Sequence, residues 1–330
     1  MSISVSVVVP VYAGEKYLAS LVNEVEKVRQ SWMTEDYPCY ISELIFVDDD
    51  SKDGSREVLK TFEHLEWVHL ITLARNYGQH PATAAGISYS SGDWIVTLDE
   101  DLQHHPKHII DMLKIAVNES ADVVYTNSTE AVHQSPYRDL SSKYYKKMMM
   151  YLTKNKHISS FNSFRLIRGN VGRSAAAVCS HDGYLDIVLS WFTNKVSVHK
   201  TAMVDQRYVE TGSSGYNLSR LISHARRLIM TSDAKLLRVA AIFGLVMLAV
   251  SVAMAFYILL SKAFYPESIG VTGWTSQIVT TLFIGSGLAI TLSVIAEYLA
   301  VVVQHIHGKP TYSVVDRSKD EIVREFFKES

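Results

Sequence analysis

Two long segments in the last third of the chain carry no charged side chain. Val239–Leu260 is free of Asp, Glu, Lys and Arg over 22 positions, and Val271–Ala296 over 26 positions. About 20 helical residues cross a hydrocarbon core roughly 30 Å thick, whereas a surface helix of a soluble protein keeps a polar face. The sequence therefore predicts two transmembrane helices, over about 238–261 and 274–304, in a membrane region at 236–306.

The charges around these segments predict how the chain crosses the membrane. The connection Ala263–Gly273 contains no Lys or Arg, whereas both outer flanks are basic. The basic flanking residues are Arg226, Arg227, Lys235, Arg238, Lys309, Arg317 and Lys319. Because basic flanks stay on the cytoplasmic side, we expect a multi-pass protein of the inner (cytoplasmic) membrane. Its N-terminal region and its C-terminal tail (307–330) both lie in the cytoplasm.

The overall charge argues against a nucleic-acid partner, and the cysteines argue against a cysteine metal site and a structural disulfide. The formal net charge is -2, so the chain as a whole has no electrostatic attraction to nucleic acid, and we expect no nucleic-acid partner. Cys39 and Cys179 fit no metal-ligand spacing. In a cytosolic domain we expect them to be reduced thiols, with no structural disulfide.

The first 130 residues alternate between strand-like and helix-like segments. Predicted strands lie at Ile3–Val9, Glu43–Asp49, Trp67–Leu73, Asp93–Asp99 and about 121–127. Predicted helices lie at about 15–30, after Asp53, at about 79–90 and from Pro106 to about 118. This alternation predicts an α/β fold, Rossmann-like, with a mostly parallel sheet and helices on both faces. In such folds ligands bind beyond the carboxyl ends of the strands.

The polar residues of this region cluster directly after the predicted strands. They are Pro10 and Tyr12, then Asp48, Asp49 and Asp50, then Arg75 and Asn76, and finally Asp99 to Gln103. A glycine-rich dinucleotide or P-loop motif is missing, which argues against an oxidoreductase or a P-loop enzyme. Carboxylates repel a diphosphate, but they bind a divalent cation that in turn binds the diphosphate. They also accept hydrogen bonds from ribose hydroxyls and from a base N–H.

Several stretches at these positions resemble a known family. "VVVPVYAGEKYL", "VDDDSKDGS", "ARNYGQH" and "GDWIVTLDEDLQHHP" are similar to the successive motifs of family 2 glycosyltransferases of the GT-A fold. The resemblance is strongest to the polyprenyl-phosphate sugar transferases, the group of bactoprenol glucosyltransferase and dolichyl-phosphate mannose synthase. "AEYLAVVVQHIHGKPTY" resembles the end of the second membrane helix and the start of the tail in the bactoprenol enzymes. The resemblance covers nearly the whole chain.

The resemblance implies roles for the residues after the first two strands. Tyr12 stacks on the nucleotide base, and Pro10 shapes the loop that carries it. Glu15 lies near the nucleotide. Asp49 accepts the N–H of the base, and Asp48 supports the turn around Asp49.

The same resemblance implies a metal site and the rest of the donor site. Asn76 and Gln79 belong to the family's "RN-x-GQ" stretch, which lies beside the donor. Asp99 binds ribose, and Asp101 and Gln103 coordinate Mg²⁺ or Mn²⁺ together with the diphosphate oxygens. Asp99 and Asp101 are therefore expected among the catalytic residues.

The reaction that the resemblance implies is inverting transfer of a sugar from a nucleotide sugar to undecaprenyl or another polyprenyl phosphate. A UDP-hexose is favoured over a GDP-sugar as the donor. The acceptor phosphate is already largely ionised near neutral pH, so the reaction needs little acid–base help. A metal that neutralises the leaving diphosphate, together with positioning of the two substrates, supplies most of the rate.

The chain departs from the family pattern at several acceptor-site positions. Where the family commonly has "GDFRL" this chain has "NSFRL", so Ser163 replaces a carboxylate. Arg165 is retained and is expected to contact the acceptor phosphate as a third catalytic residue; alternatively it pairs with a nearby carboxylate. Ser128 stands where the mannose synthase-like enzymes have an Arg, and Arg138, Lys143 or Lys147 are the candidates to take the place of that Arg. Arg207, in "RYVETGSSGYN", is the expected diphosphate contact.

These observations predict four regions. They are a cytoplasmic GT-A domain at 1–216, an amphipathic interfacial helix at 217–235, the two-helix membrane region at 236–306 and a cytoplasmic tail at 307–330. Asn217–Ile229 places its apolar residues on one helical face, as expected for a helix on an anionic membrane surface or packed against the catalytic domain. The resemblance also implies a homo-oligomer, with a tetramer as one form.

Two other functions stay open from the sequence. A processive polysaccharide synthase typically carries a Q-x-x-R-W motif and more membrane spans, and neither is found here. A catalytically silent nucleotide-binding scaffold would account for the departures at the acceptor site. A zinc site within "QHHPKH" is not expected, because Pro106 separates His104 and His105 from His108 and no two of these share a helical face at ligand spacing. His104 and His105 have no assigned role.

Overall fold

The computed structural model describes residues 2–128, 158–180, 183–201, 235–264, 273–307, 310–316, 320 and 326–327. The chain divides into two compact units. The first comprises Met1–Thr231 with Pro310–Ser330, and the second comprises Ser232–Lys309. The predictions for Arg138 and Arg207 and for the amphipathic helix lie outside the described residues, so they stay predictions.

A seven-stranded sheet forms the centre of the first unit. Its strands are β1 (Ile3–Val11), β2 (Cys39–Asp48), β3 (Val68–Thr72), β4 (Trp94–Thr97), β5 (Val123–Ser128), β6 (Arg165–Arg168) and β7 (Val196–Thr201). The spatial order is β3-β2-β1-β4-β6-β5-β7. All neighbouring pairs are parallel except those of β6, which runs antiparallel to both β4 and β5. The five predicted strands and the mostly parallel sheet are confirmed, whereas β6 and β7 are found only in the structure.

Helices cover both faces of this sheet, as predicted. They are α1 (Leu18–Thr34), α2 (Ser55–Lys60), α3 (Gln79–Tyr89), α4 (Ile109–Asn118, after a 3₁₀ turn at Pro106–His108), α5 (Gly169–Val178) and α6 (Leu185–Phe192). Residues of α1 and α4 pack with one face of the sheet, and residues of α3, α5 and α6 pack with the other. Strand β1 has apolar side chains on both faces of the sheet. Val7 and Val9 pack with α1 and α4, Val8 packs with α3 and α5, and all three are fully buried.

Helix α3 lies unusually close to the sheet. Six of its residues from Ala82 to Ile87 are Ala, Thr, Gly or Ile, and all are buried. A Cβ atom on Gly86 would lie 2.3 Å from Cγ1 of Val8, so only glycine fits at this position. The close approach fixes the N-terminus of α3 beside the carboxyl ends of β1 and β2.

The second unit consists of two long helices, α7 (Lys235–Phe264) and α8 (Trp274–Ile306). The two helices pack against each other, and a Cβ atom on Gly287 would lie 3.1 Å from the ring of Phe243. Within the described part of the chain, one helix is long and apolar enough to cross a membrane, over Phe283–Ala300 of α8. The second predicted transmembrane helix, within α7, stays a prediction.

The C-terminal tail returns to the first unit. Val314 forms an antiparallel bridge with Leu73, the backbone N–H of Ala74 donates to Ser313 (2.9 Å), and the N–H of Val315 donates to Thr72 (2.9 Å). The side chains of Tyr312 and Val314 pack against the cluster beneath α3 and α5. The tail therefore extends the sheet at the end of β3, directly before the loop that leads into α3. Sequence reasoning did not predict this contact.

A charge at position 314 should separate the tail from the sheet. We expect Val314→Asp to lower the stability of the first unit by about 1–3 kcal/mol, because the carboxylate would enter a half-buried apolar contact. Ser313→Asp adds the same charge at an exposed neighbour and should change stability by less than about 0.5 kcal/mol. Urea unfolding of the full-length protein measures both, and equal losses in the two variants would contradict the docked tail.

The two cysteines are free and buried. Burial raises the pKa of the Cys39 thiol, and it raises the pKa of the Cys179 thiol to about 11. At pH 8 only about one Cys179 in a thousand is then the reactive thiolate.

We expect iodoacetamide at pH 8 to leave both cysteines of the native protein unmodified and to label both after unfolding. Mass spectrometry after a timed exposure checks this, and rapid native labelling of Cys179 would refute it.

Candidate functional site

A cleft of about 310 Å³ opens at the carboxyl edge of the sheet. Strands β1, β2 and β4 end there and helix α3 begins there. The cleft is lined by Pro10, Val11, Tyr12, Asp49, Asn76, Gly78, Gln79, Ala82, Asp99, Glu100 and Asp101. Seven predicted site residues are among them: Pro10, Tyr12, Asp49, Asn76, Gln79, Asp99 and Asp101. Its size suits a small-molecule ligand.

Asp49 forms part of the cleft and also fixes the loop before α3. Its two carboxylate oxygens accept hydrogen bonds from the backbone N–H groups of Tyr77 (2.6 Å) and Gly78 (2.7 Å). Gly78 has φ +95, a left-handed conformation that favours glycine. Asp49 is only 3% exposed, and this burial raises the pKa of its carboxyl although the two N–H groups lower it.

Asp48 lies behind the cleft and does not line it. One carboxylate oxygen accepts from the N–H of Ser51 (2.9 Å), and the other pairs with two nitrogens of the Arg56 guanidinium (both 2.7 Å). Asp48 is fully buried. A charge-assisted pair of this kind holds the turn that carries Asp49.

Glu100 ties the loop after β1 to the turn after β4. Its carboxylate oxygens accept hydrogen bonds from the backbone N–H groups of Tyr12 (3.0 Å) and Ala13 (3.3 Å). Tyr12 lines the cleft, and the residue is 45% exposed. Glu100 therefore fixes the backbone of the residue expected to stack on a base, a role that its place in the sequence did not reveal.

Glu15 does not line the cleft. Its carboxylate accepts from the N–H of Gly54 (3.0 Å), and its own N–H donates to the carboxylate of Asp53 (3.2 Å). These bonds join the β1–α1 loop to the start of α2. The structure thus places Glu15 at a contact between two loops, and its expected place near the nucleotide stays a prediction.

Asp99 accepts hydrogen bonds from two directions inside the cleft. The side-chain amide of Gln79 donates to one oxygen (2.6 Å), and the hydroxyl of Ser163 donates to the other. Ser163 reaches this position because β6 pairs antiparallel with β4 and the hydroxyl of Thr97 donates to the Ser163 carbonyl (2.6 Å). The residue that departs from the family pattern thus lies in direct contact with Asp99.

The turn after β4 presents Asp101 to the cleft but leaves Gln103 outside its lining. Asp101 is buried, and its carboxylate accepts from the backbone N–H of Gln103 (3.2 Å). Leu102 between them has φ 57, which reverses the chain within two residues. Asp99 and Asp101 both line the cleft, and their carboxylate oxygens are ligands that suit a hard cation such as Mg²⁺ or Mn²⁺.

Arg165 does not line the cleft. Its guanidinium forms an ion pair with Asp186 and donates to the hydroxyl of Thr97 (3.1 Å), and the Tyr125 hydroxyl also donates to Asp186 (2.9 Å). Arg165 and Asp186 are each only 2% exposed. Separating such a buried pair costs about 3–5 kcal/mol, so the alternative interpretation, pairing with a carboxylate, describes this residue.

His104 and His105, unassigned from the sequence, differ in environment. The His104 ring packs against Phe164 (5.1 Å between centroids) with its Nδ1 4.0 Å from an oxygen of Asp99. That Nδ1 is buried without a hydrogen-bond partner. Burial lowers the pKa of His104 although Asp99 and Asp101 raise it. His105 instead accepts from the N–H of Lys107 (3.1 Å) and pairs with Glu24 of α1 (3.1 Å).

Comparison with known proteins identifies a family whose sequence pattern this chain matches. The sequence profile of Glycosyl transferase family 2 matches residues 6–178, just over half of the 330-residue chain. An uncharacterized glycosyltransferase of Bacillus subtilis is 28% identical over 316 residues, covering 94% of this chain and 93% of the relative. An undecaprenyl-phosphate 4-deoxy-4-formamido-L-arabinose transferase of Yersinia enterocolitica is 29% identical over 317 residues, covering 94% and 92%.

A solved structure shares the fold. The glucosyl-3-phosphoglycerate synthase of Mycobacterium tuberculosis, crystallised with Mn²⁺ and UDP-glucose, superimposes with a TM-score of 0.50 at 12% identity. The match covers 69% of this chain and 77% of that one. It supports the predicted GT-A-like α/β architecture.

The contact between Glu100 and the β1–α1 loop generates a local prediction. Glu100→Gln replaces an ionised acceptor by a neutral amide, and charge-assisted hydrogen bonds are about twice as strong as neutral ones. We expect the amides of Tyr12 and Ala13 to exchange with solvent about 5–30-fold faster, for a loss of about 1–2 kcal/mol. Hydrogen-exchange mass spectrometry measures this. Glu119→Gln, an exposed change at the end of α4, is the control, and unchanged exchange in Glu100→Gln would refute the contact.

Proposed function

Because the chain belongs to glycosyl transferase family 2, we propose that it transfers a sugar from a nucleotide sugar to a polyprenyl phosphate at the membrane. The observation that carries this proposal is the cleft in which Asp49, Asp99 and Asp101 meet at the ends of three parallel strands. A relative matched over 94% of this chain is named as an undecaprenyl-phosphate sugar transferase. The match also covers 92% of that relative.

The donor in this proposal is a UDP-sugar, with a UDP-hexose favoured over a GDP-sugar. The exposed ring of Tyr12 offers a stacking surface for the base, and Asn76 and Gly78 add polar side-chain and backbone groups to the lining of the cleft. Asp49 already accepts two backbone N–H groups, and its remaining lone pairs are available to a base N–H. The structural neighbour with the same fold was crystallised with UDP-glucose.

Asp101 is the expected protein ligand for Mg²⁺ or Mn²⁺, with Gln103 as the second candidate. When bound, such an ion supplies neutralisation of the charge on the leaving nucleotide diphosphate. Asp99 is held by Gln79 and Ser163 in one orientation, which suits it to accept a hydrogen bond from a ribose hydroxyl. This preorganisation lowers the entropic cost of positioning the donor.

The proposed chemistry is a single inverting displacement. An oxygen of the acceptor phosphate forms the bond to the anomeric carbon, while the bond from that carbon to the nucleotide diphosphate breaks and its electron pair leaves with the diphosphate. An ionised phosphate needs no base, so a hydroxyl at Ser163 in place of a carboxylate is compatible with activity. Its role here is to orient Asp99.

The acceptor and its location follow from the membrane segments. A polyprenyl phosphate is embedded in the bilayer, and α8 contains a segment long and apolar enough to span it. We place the enzyme in the inner membrane as a multi-pass protein, with the cleft on the cytoplasmic side where nucleotide sugars are made. Arg165 is buried in an ion pair, so Arg138, Lys143 or Lys147 is the expected contact of the acceptor phosphate, and Arg207 that of the nucleotide diphosphate. A homo-oligomer, such as a tetramer, is part of the proposal.

A transfer assay in membranes tests the proposal. Membranes containing the full-length protein are incubated with undecaprenyl phosphate, Mn²⁺ and a panel of radiolabelled UDP- and GDP-sugars, and label in the lipid fraction is counted. We expect label from at least one UDP-hexose, lost on chelation. Asp101→Asn should lower transfer about 100-fold or more, because a cation ligand facing the diphosphate is removed.

The matched control is Asp36→Asn. Asp36 is exposed and has φ 51, a conformation that Asn tolerates, so transfer should be unchanged. Equal unfolding curves for both variants show that folding is retained. No labelled lipid with any donor, or full transfer by Asp101→Asn, would contradict the proposal and would favour a nucleotide-binding scaffold.

A further inference from the structure

Three potential metal-binding side chains meet outside the cleft. His108 ends the 3₁₀ turn before α4, Asp111 lies in the first turn of α4, and His199 lies in β7. One ring nitrogen of each histidine and one carboxylate oxygen of Asp111 all lie within 4.8 Å of one another. The two imidazole rings are 5.8 Å apart between centroids. None of the three lines the cleft.

Local structure and packing explain how these residues come together. Pro106 starts the 3₁₀ turn, which continues into α4, so His108 and Asp111 are three positions apart in the sequence and share one helical face. Helix α4 packs against β7, and β7 carries His199 in register with Thr126 of β5. His199 therefore reaches His108 and Asp111 from the sheet, although it lies 91 residues after His108 in the sequence.

The surroundings leave the ligand atoms available. The Nε2 of His199 is buried without a hydrogen-bond partner. The Nε2 of His108 lies 3.4 Å from the Thr201 hydroxyl, and Lys114 lies 3.5 Å from Asp111 in a half-exposed i,i+3 pair that contributes little. Burial, Lys107 and His199 lower the pKa of His108, opposed by Asp111. Neutral imidazoles present the lone pairs that a metal ion requires.

We propose that His108, Asp111 and His199 form a second metal site, for a transition-metal ion with zinc as the expected occupant. Two imidazole nitrogens and one carboxylate oxygen are ligands typical of Zn²⁺, whereas Mg²⁺ and Ca²⁺ prefer oxygen ligands alone. Three protein ligands leave a fourth tetrahedral position for water. This site is separate from the carboxylate site at Asp101, and it does not depend on the proposed transferase function.

The geometry needs only a small closure to bind the ion. Tetrahedral zinc at about 2.0–2.1 Å from each ligand places ligand atoms about 3.4 Å apart. The three side chains therefore approach one another by at most about 1.4 Å, which rotation about χ1 and χ2 provides. The bound ion would join the start of α4, a few residues after the Asp101 turn, to β7, whose described backbone pairing is to β5 alone. It would thereby fix the turn to the edge of the sheet.

Metal binding by the untagged full-length protein in detergent tests the site. After chelator treatment, the protein is titrated with Zn²⁺ by calorimetry and with Co²⁺ by visible absorption, in excess Mg²⁺ to fill the carboxylate site. We expect one site per chain with the absorption of tetrahedral Co²⁺. His108→Ala, His199→Ala and Asp111→Asn should each weaken binding at least tenfold. His64→Ala, an exposed histidine elsewhere, and Asp101→Asn should leave it unchanged.

A second measurement on the wild-type protein does not depend on how the variants fold. Diethyl pyrocarbonate modifies free imidazoles, and peptide mass spectrometry reports each histidine separately. We expect Zn²⁺ to protect His108 and His199 and to leave His64 unprotected. Equal modification of His108 and His199 with and without Zn²⁺, or Zn²⁺ affinity unchanged in His108→Ala and His199→Ala, would overturn the proposal.

Discussion

The pairing of β1 with both β2 and β4 is the constraint on which the cleft depends. In this register Val11 faces Asp48 and Val8 faces Thr97, and the N–H groups of Asp49 and Leu98 donate to β1 carbonyls. All three strands are parallel, so their carboxyl ends meet at one edge. A shift of one residue would turn every side chain to the opposite face. Val7 and Val9 pack on one face of β1 and Val8 on the other, so such a shift would disturb the packing of both clusters.

The carboxylates at this edge of the sheet form hydrogen bonds within the protein and also face the cleft. Asp49 holds the loop before α3, Glu100 holds the loop after β1, and Asp99 is held by Gln79 and Ser163. Each carboxylate accepts N–H or O–H groups from a different segment. The cleft is therefore fixed by the same groups that face it. Such preorganisation lets a site bind and orient a charged ligand with little rearrangement.

The charged pair outside the cleft stabilises the core. The ion pair of Arg165 with Asp186 lies in the core, where Thr97 and Tyr125 complete its hydrogen bonds. Removing one partner would leave a buried charge uncompensated, so the pair holds β6 and α6 in one arrangement. The returning tail acts similarly at the other end of the sheet, where Val314 closes the edge beside β3. Both contacts lie next to segments that lead into the cleft, after Thr97 in one case and after Ala74 in the other.

The sequence by itself determined the alternation of strands and helices and the edge at which the polar residues gather, because these follow from periodicity and from the ends of parallel strands. Six predicted residues of the cleft lie at those strand ends, and the seventh, Gln79, was predicted from the family resemblance. Tertiary structure alone decided that Arg165 lies in the core, that Ser163 touches Asp99, that Glu15 binds Gly54 and that His108 meets His199. Strand β6 and the residues just before it carry Arg165 and Ser163, and the edge strand β7 carries His199, whereas the Glu15 contact joins two loops. Both strands are short and partly charged, so their pairing depends on the shape of the assembled sheet, which residue spacing along the chain does not encode.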